Sequence, residues 1–254
     1  ICRSFVFWVL CLLGVGGVIF LQYLLQCGND NYIIAYWNWS MFYQPFSFSQ
    51  VHAFLYNIVQ AFMLIFVATE VVGREHRGGP LEALYVHPMS NSEYLFGKVA
   101  GVLLVFFLVG CVSMLVSCGL NILGTDFAPF NFLYYLYYFL TLTLPSLVFF
   151  AGLGVWLTWL VRFRVLSILL LLVYLYYSVT RLPGVFHGLF DFTGSALSNV
   201  FSVATGHVEG WNYFFHRLAY LLAGLGFICW TIRLQERLPN ERRKVIRFSY
   251  GGII

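Results

Sequence analysis

Side chains able to do chemistry are scarce in this chain: its 254 residues include ten Asp and Glu, 14 Lys and Arg and six His. Gly97-Lys98 could end a phosphate-binding loop, in which backbone amides cradle an anion and the lysine reaches it. Such a loop needs a Gly five residues before its Gly-Lys and a Ser or Thr after it, whereas Ser92 and Val99 stand there. Any ATP must therefore bind another polypeptide or a part of the protein outside this chain. His52, His76, His87, His187, His207 and His216 show no H-E-x-x-H or comparable ligand spacing, so no metal site is expected. A membrane-embedded serine protease would need a Ser and a His at active-site depth. Gly194-Ser195 is the nearest match and lacks the G-x-S-G context, which leaves that activity a remote alternative. The six cysteines form no CxxC pair or disulfide framework and read as small buried hydrophobes.

Composition dictates the elements that must position these residues. At 61% hydrophobic and 20% aromatic, with a mean hydropathy of +0.82, the chain has more apolar surface than a water-soluble domain of its length can hide. It reads as an all-α integral membrane protein, a single transmembrane domain over 1–254. About 20 apolar residues are needed per crossing. Six stretches qualify, at about 5–25, 51–72, 94–123, 131–161, 165–180 and 213–234, the fifth being short. With six spans, twelve Lys and Arg fall on one side and only Arg181 and Arg217 on the other. Positive residues favour the inner face, so a multi-pass protein of the cell (inner) membrane with both termini cytoplasmic is expected. The net charge of +4 thus reports topology rather than nucleic-acid binding, and membrane lipids are the natural partners of the basic stretch Glu241–Arg247. The start at Ile1 and the apolar ending at Ile254 suggest part of a longer chain.

Within the spans, Glu70 near the inner end of the second is a functional candidate, because acids in membrane helices are costly. Pairing with Arg74, four residues on, is the simpler expectation. Gly97, Gly101, Gly110 and Gly119 in the third span would allow close helix approach. Pro145 should kink the fourth span, with Thr141, Thr143 and Ser146 nearby to satisfy freed backbone groups. Gly152 and Gly154 follow, as packing residues or a hinge. Aromatic residues from Tyr32 to Phe48 suit a headgroup belt or a stacking surface. Between spans five and six, residues 181–212 are too apolar to float free. The i, i+3, i+4 spacing of Phe186, Leu189 and Phe190 suggests short outer-leaflet helices.

Residues 73–98, GREHRGGPLEALYVHPMSNSEYLFGK, are the most polar stretch. Pro80 suits the first turn of a short helix that would put Leu81, Leu84 and Tyr85 on one face and Glu82 on another. His87-Pro88 would end it. Ser90 and Glu93 then match a capping box opening the third span. An amphipathic element of this kind can lie on headgroups or fill a groove on a soluble partner.

The stretch resembles the signature of ABC-2 type transporter permeases. The resemblance lies in Arg74-Glu75, the turn Gly78-Gly79, Leu81-Glu82-Ala83-Leu84, Pro88-Met89-Ser90 and Gly97-Lys98, and extends to the six-span layout. Many members have Thr after the turn glycine, where this chain has Gly79-Pro80. The resemblance implies a cytoplasmic coupling helix between spans two and three, with Arg74, Glu75, Arg77, Leu81, Glu82, Leu84, Tyr85 and Pro88 facing an ATP-binding-cassette subunit. ATP and Mg would sit on that partner, and this chain would bind no cofactor and catalyse no reaction. A second permease half, identical or not, completes the assembly. Pro145 and Gly152 are the candidate gating or hinge residues. Export of a lipidic, glycan or hydrophobic substrate is the expected function, and an ABC-type membrane anchor or mechanotransmitter without solute transport is the alternative.

Overall fold

The computed structural model describes residues 5–27, 47–73, 91–123, 130–161, 163–182, 185, 189–194, 201–202, 206–207 and 210–234. Helices dominate: α1 (Phe5–Cys27), α2 (Ser47–Gly73), α3 (Asn91–Leu123), α4 (Phe132–Tyr138), a π-helical segment (Phe139–Thr143), α5 (Leu144–Val161), α6 (Arg164–Thr180) and α7 (Gly210–Leu234). A two-residue antiparallel ladder, β1 (Phe201–Ser202) with β2 (Gly206–His207), sets Phe201 opposite His207. Helix boundaries follow local chemistry where they can be read. The Asn131 side chain accepts the Leu133 amide at 3.0 Å and so starts α4, while Glu93 sits in the first turn of α3, where a carboxylate complements the helix dipole.

Five of the helical stretches are long and apolar enough to cross a membrane, α4 and α5 counting as one. The expected fifth span, α6, has 17 residues, about 25 Å of helix against a hydrocarbon core of about 30 Å. Outward-facing Leu12, Leu13, Leu104 and Leu123 are at least 61% exposed. Apolar surface of that extent is stable against lipid and unstable against water.

α2 occupies the middle, packing on α1, α3, α5 and α6, while α5 packs most extensively on α7. Leu64, Ile65, Phe106, Phe150 and Phe192 form the centre of the core. Two glycines set the α5–α7 distance. A Cβ on Gly152 would overlap the carbonyl oxygen of Gly224, and one on Gly224 would lie 2.6 Å from Val148 O and Phe149 Cα. Gly154 is pressed on Ala68 of α2 in the same way, at 2.8 Å. In α3 only Gly110 makes such an approach, to Phe139 and Tyr56; a Cβ on Gly97, Gly101 or Gly119 would meet nothing within 4 Å. Three of the four glycines expected to bring helices together therefore do not do so among the described residues.

Most of the residues expected to form short helices before α7 lie outside the described ones; Leu182 is 3-10 helical, Leu189–Gly194 form turns, and Phe201–His207 contain the β ladder. Asp191 Oδ1 accepts the Thr193 amide at 2.8 Å and also the Thr193 hydroxyl, and Gly194 adopts φ 67°. A self-bonding aspartate followed by a left-handed glycine turns the chain instead of propagating a helix. Phe186 and residues 195–200 lie outside the described residues.

Candidate functional site

The fourth membrane segment is broken. Pro145 has no amide hydrogen, so the Thr141 carbonyl loses the partner four residues on that a regular helix would supply. The chain adjusts by widening to π geometry over Phe139–Thr143, and the Leu144 amide donates to Phe139 O, five residues back. Side chains gather at this break. Asn57 Nδ2 donates to Leu142 O at 3.3 Å and Gln60 Nε2 to Thr143 O at 3.4 Å, both from α2. Ser146 Oγ donates to Leu142 O at 2.8 Å, and Thr141 Oγ1 to Tyr137 O at 2.7 Å. Asn57 and Gln60 are at most 1% exposed. In a setting without water, each freed carbonyl has to be met from within the protein. The kink expected at Pro145 thus takes the form of a π segment held by a neighbouring helix.

At its Gly73 end, α2 makes a second polar contact. Glu70 forms an ion pair with Arg164, the first residue of α6. The partner that the sequence pointed to, Arg74, lies outside the described residues. The start of α6 at Arg164 lies at the level of Glu70, so tertiary proximity supplies a partner that the sequence did not point to. In the first turns of α3, the Lys98 ammonium sits 4.2 Å above the Tyr94 ring. The expected coupling residues Arg74, Glu75, Arg77, Leu81, Glu82, Leu84, Tyr85 and Pro88, with the Ser90 cap, all lie outside the described residues. The structure does describe the helices that flank them, α2 ending at Gly73 and α3 starting at Asn91.

Toward the opposite end, a buried polar cluster ties α1, α2 and α3. His52 Nδ1 lies 3.1 Å from Gln22 Oε1, and His52 Nε2 lies 3.4 Å from Ser113 Oγ. The amide oxygen can only accept, so Nδ1 carries the proton and Nε2 accepts from the serine, giving a neutral imidazole with both nitrogens engaged. Ser117 Oγ also donates to Gln22 Oε1, at 2.7 Å. His52 is thus a hydrogen-bonded core residue. No group of three or more His, Cys, Asp or Glu able to hold a metal occurs among the described residues.

Residues 189–194 are held by three membrane segments. Tyr174 of α6 donates to Phe190 O at 3.2 Å, Tyr220 of α7 to Leu189 O at 2.9 Å, and Ser146 of α5 to Phe192 O at 3.3 Å. Arg217 of α7, 2% exposed, donates through Nη1 to the same Phe192 carbonyl and stacks 5.5 Å from Tyr213. Gly194 is required here, since a Cβ would overlap the Arg217 guanidinium.

Pro145 was legible from sequence; Asn57, Gln60, Gln22 and Arg217 were not picked out as site residues. Their signal was present as amides and a cation within otherwise apolar spans, a pattern that marks inward-facing positions. Gly152, a candidate hinge, packs tightly on Gly224.

No curated protein and no solved structure matches the chain. The family described as ABC-2 family transporter protein matches residues 2–178, which takes in α1 to α5, the intervening 74–90 stretch and nearly all of α6. With a multi-helix apolar bundle, a broken fourth segment and that match over more than half its length, the chain belongs to the ABC-2 transporter family, as a multi-pass membrane component that is not itself catalytic.

Proposed function

We propose that the chain is a permease half of an ATP-driven exporter, with six spans, both termini cytoplasmic, and residues 74–90 receiving motion from an ATP-binding-cassette subunit. It works with a second permease half, and ATP and Mg are bound by the partner subunits. The substrate class that suits the aromatic, nearly charge-free bundle is a lipid, glycan or other amphiphile rather than a small ion.

The observation that carries this reading is the position of α2. It leads directly into residues 74–90, and it holds both the π segment, through Asn57 and Gln60, and α6, through Glu70. A push on the end of α2 would thus be felt at the break in the fourth segment and at the start of α6 together. Closure of two ATP-bound subunits would tilt α2 and α3 and open a path beside Pro145.

The test is co-purification from native membrane, comparing wild type with a Glu75→Ala/Leu84→Asp double variant, followed by an ATPase assay. Recovery of an ATPase partner that the variant loses is the expected result. An intact wild-type protein that brings down no ATPase overturns the reading. An ATPase partner without nucleotide-dependent substrate movement would favour the mechanotransmitter alternative.

A further inference from the structure

A groove of about 490 Å3 runs along α5 between α6 and α7, both of which pack on α5. Phe149 and Leu157 mark the ends of its floor, Leu170 of α6 stands in one wall, and Ala219 and Ala223 of α7 stand in the other. The two alanines lie about one turn apart, and their small side chains leave that wall hollow. Leu189 and Phe190 close one end as a roof.

The roof fixes the depth of the groove. Its turn meets α5 where Ser146 donates to Phe192 O and Phe150 packs on Phe192, in the middle of the membrane segment Phe132–Val161. At that depth Leu189 and Phe190, 61% and 51% exposed, face hydrocarbon rather than water. From Phe149 to Leu157 the floor runs about 12 Å at the helical rise, close to the roughly 15 Å that one leaflet contributes to the hydrocarbon core. The other end lies toward Arg164, where α6 starts, and Arg233, exposed in the last turn of α7. Positive charge at that level suits a phosphate headgroup.

The lining decides what can fill the groove. Its polar side chains are Tyr174 and Tyr220, and both hydroxyls are donated to the roof, to Phe190 O at 3.2 Å and Leu189 O at 2.9 Å. A water inside would find too few partners, and apolar cavities stay dry. An empty groove would forfeit the dispersion contacts of its walls. A hydrocarbon chain restores those contacts and needs no hydrogen bond. We propose that the groove is a binding site for one acyl chain of a bilayer phospholipid, whose phosphate lies at the Arg164–Arg233 end and whose terminal methyl meets Leu189 and Phe190. The chain joins α6 to α7 and supports the roof. This inference rests on the membrane-spanning bundle and stands apart from the transport reading.

Carbene photolabelling tests it. The full chain is delipidated in detergent and placed in phosphatidylcholine–phosphatidylglycerol liposomes containing a phospholipid with a diazirine at the end of one chain, and the label is located residue by residue. Leu169 is the control, being 54% exposed against 41% for Leu170, adjacent on the same helix and outside the groove. Leu170 is expected to carry about ten times the label of Leu169, the ratio that a preference of about 1.4 kcal/mol for the groove over bulk lipid gives. Equal labelling means ordinary lipid contact and overturns the site. Less label on Leu170 than on Leu169, as when another protein chain fills the groove, overturns it too. Moving the diazirine next to the glycerol should shift label from Phe190 toward Leu157, and the opposite shift overturns the assigned leaflet. Ala223→Phe fills the groove from α7 and should bring Leu170 down to the level of Leu169. Undiminished labelling in a variant that keeps the wild-type Tm counts against the site, and the wild-type ratio decides the matter without any variant.

Discussion

Asn57 of α2 donates its side-chain amide to the carbonyl of Leu142, 3.3 Å away, in the π-helical part of the fourth membrane segment. One turn further along α2, Gln60 does the same to Thr143. Both acceptors lie at the end of the π turn, beside the Thr141 carbonyl that Pro145 leaves without its regular partner.

Replacing Asn57 or Gln60 by Leu removes one interhelical bond to this turn. Each bond is long, and interhelical side-chain bonds of this kind average about 0.6 kcal/mol in membrane bundles. Thermal unfolding in detergent is expected to show a loss of that order for each variant. The double variant should lose more than the sum in ATP-driven transport, because both of these hydrogen bonds from α2 to the π turn are gone. Full transport in the double variant would separate this contact from the mechanism.

Pro145→Ala restores an amide hydrogen, which can reach the Thr141 carbonyl and let a regular α-helical ladder close through Phe139–Thr143. Regular geometry there would also re-aim Leu142 O and Thr143 O, the acceptors of Asn57 and Gln60. The expected outcome is a protein as stable as wild type or more so, with reduced nucleotide-dependent transport. Unfolding temperature and transport measured on one preparation check it, and unchanged transport at raised stability would count against the break as a working part.

At the α5–α7 crossing the contact is backbone on backbone, so there is no flexible side chain to give way. Gly224→Leu is expected to cost about 1–3 kcal/mol or more, the range for forcing extra atoms into a packed core, because its Cβ alone would lie 2.6 Å from Val148 O and Phe149 Cα. Gly226→Ala, two residues on, meets nothing within 4 Å and should stay within about 0.5 kcal/mol of wild type. Expression level and Tm of the pair give the comparison, and equal behaviour would mean that α5 and α7 do not cross at this point.

The turn before α7 depends on one residue. Gly194→Ala combines a left-handed φ of 67° with overlap on the Arg217 guanidinium. It should destabilise by more than the roughly 0.4–1 kcal/mol that a strain-free Gly→Ala change gains, and protease cleavage near residues 189–194 should rise. Undiminished protease resistance would show that the Arg217–Phe192 contact does not hold this turn.

Span positions were legible because they rest on run length alone. The expected limits 131–161 and 165–180 differ by one residue from the helical bounds 132–161 and 164–180, since nothing but loss of apolar character has to be read there. What holds the spans together was less legible. Gly97, Gly101 and Gly119 look the same in sequence as Gly110, and only position relative to Phe139 and Tyr56 tells them apart. The polar seam had a readable trace in Ser113, Ser117 and Asn121, four residues apart on one helical face, and in Asn57 and Gln60 three apart. Their partners are distant carbonyls whose availability depends on a π turn, and no spacing rule announces that. The Asp191–Gly194 turn was not legible because apolar periodicity around Phe190 suggests helix, whereas the Asp191 carboxylate bonds locally to the Thr193 amide.

Glu70 and Arg164 are each about a third exposed, so their pairing is expected to contribute only about 0.2–1 kcal/mol to stability. Its value to function would be larger if it passes movement of α2 to α6. Glu70→Gln and Arg164→Gln should therefore unfold near the wild-type temperature while transport per ATP hydrolysed falls. The reversed pair, Glu70→Arg with Arg164→Glu, restores opposite charges and should recover part of that ratio. A double-mutant cycle on transport and on Tm separates the two roles. Coupling seen only in Tm would make the pair a structural clasp, whereas coupling seen mainly in transport would place α6 downstream of α2 in the response to ATP.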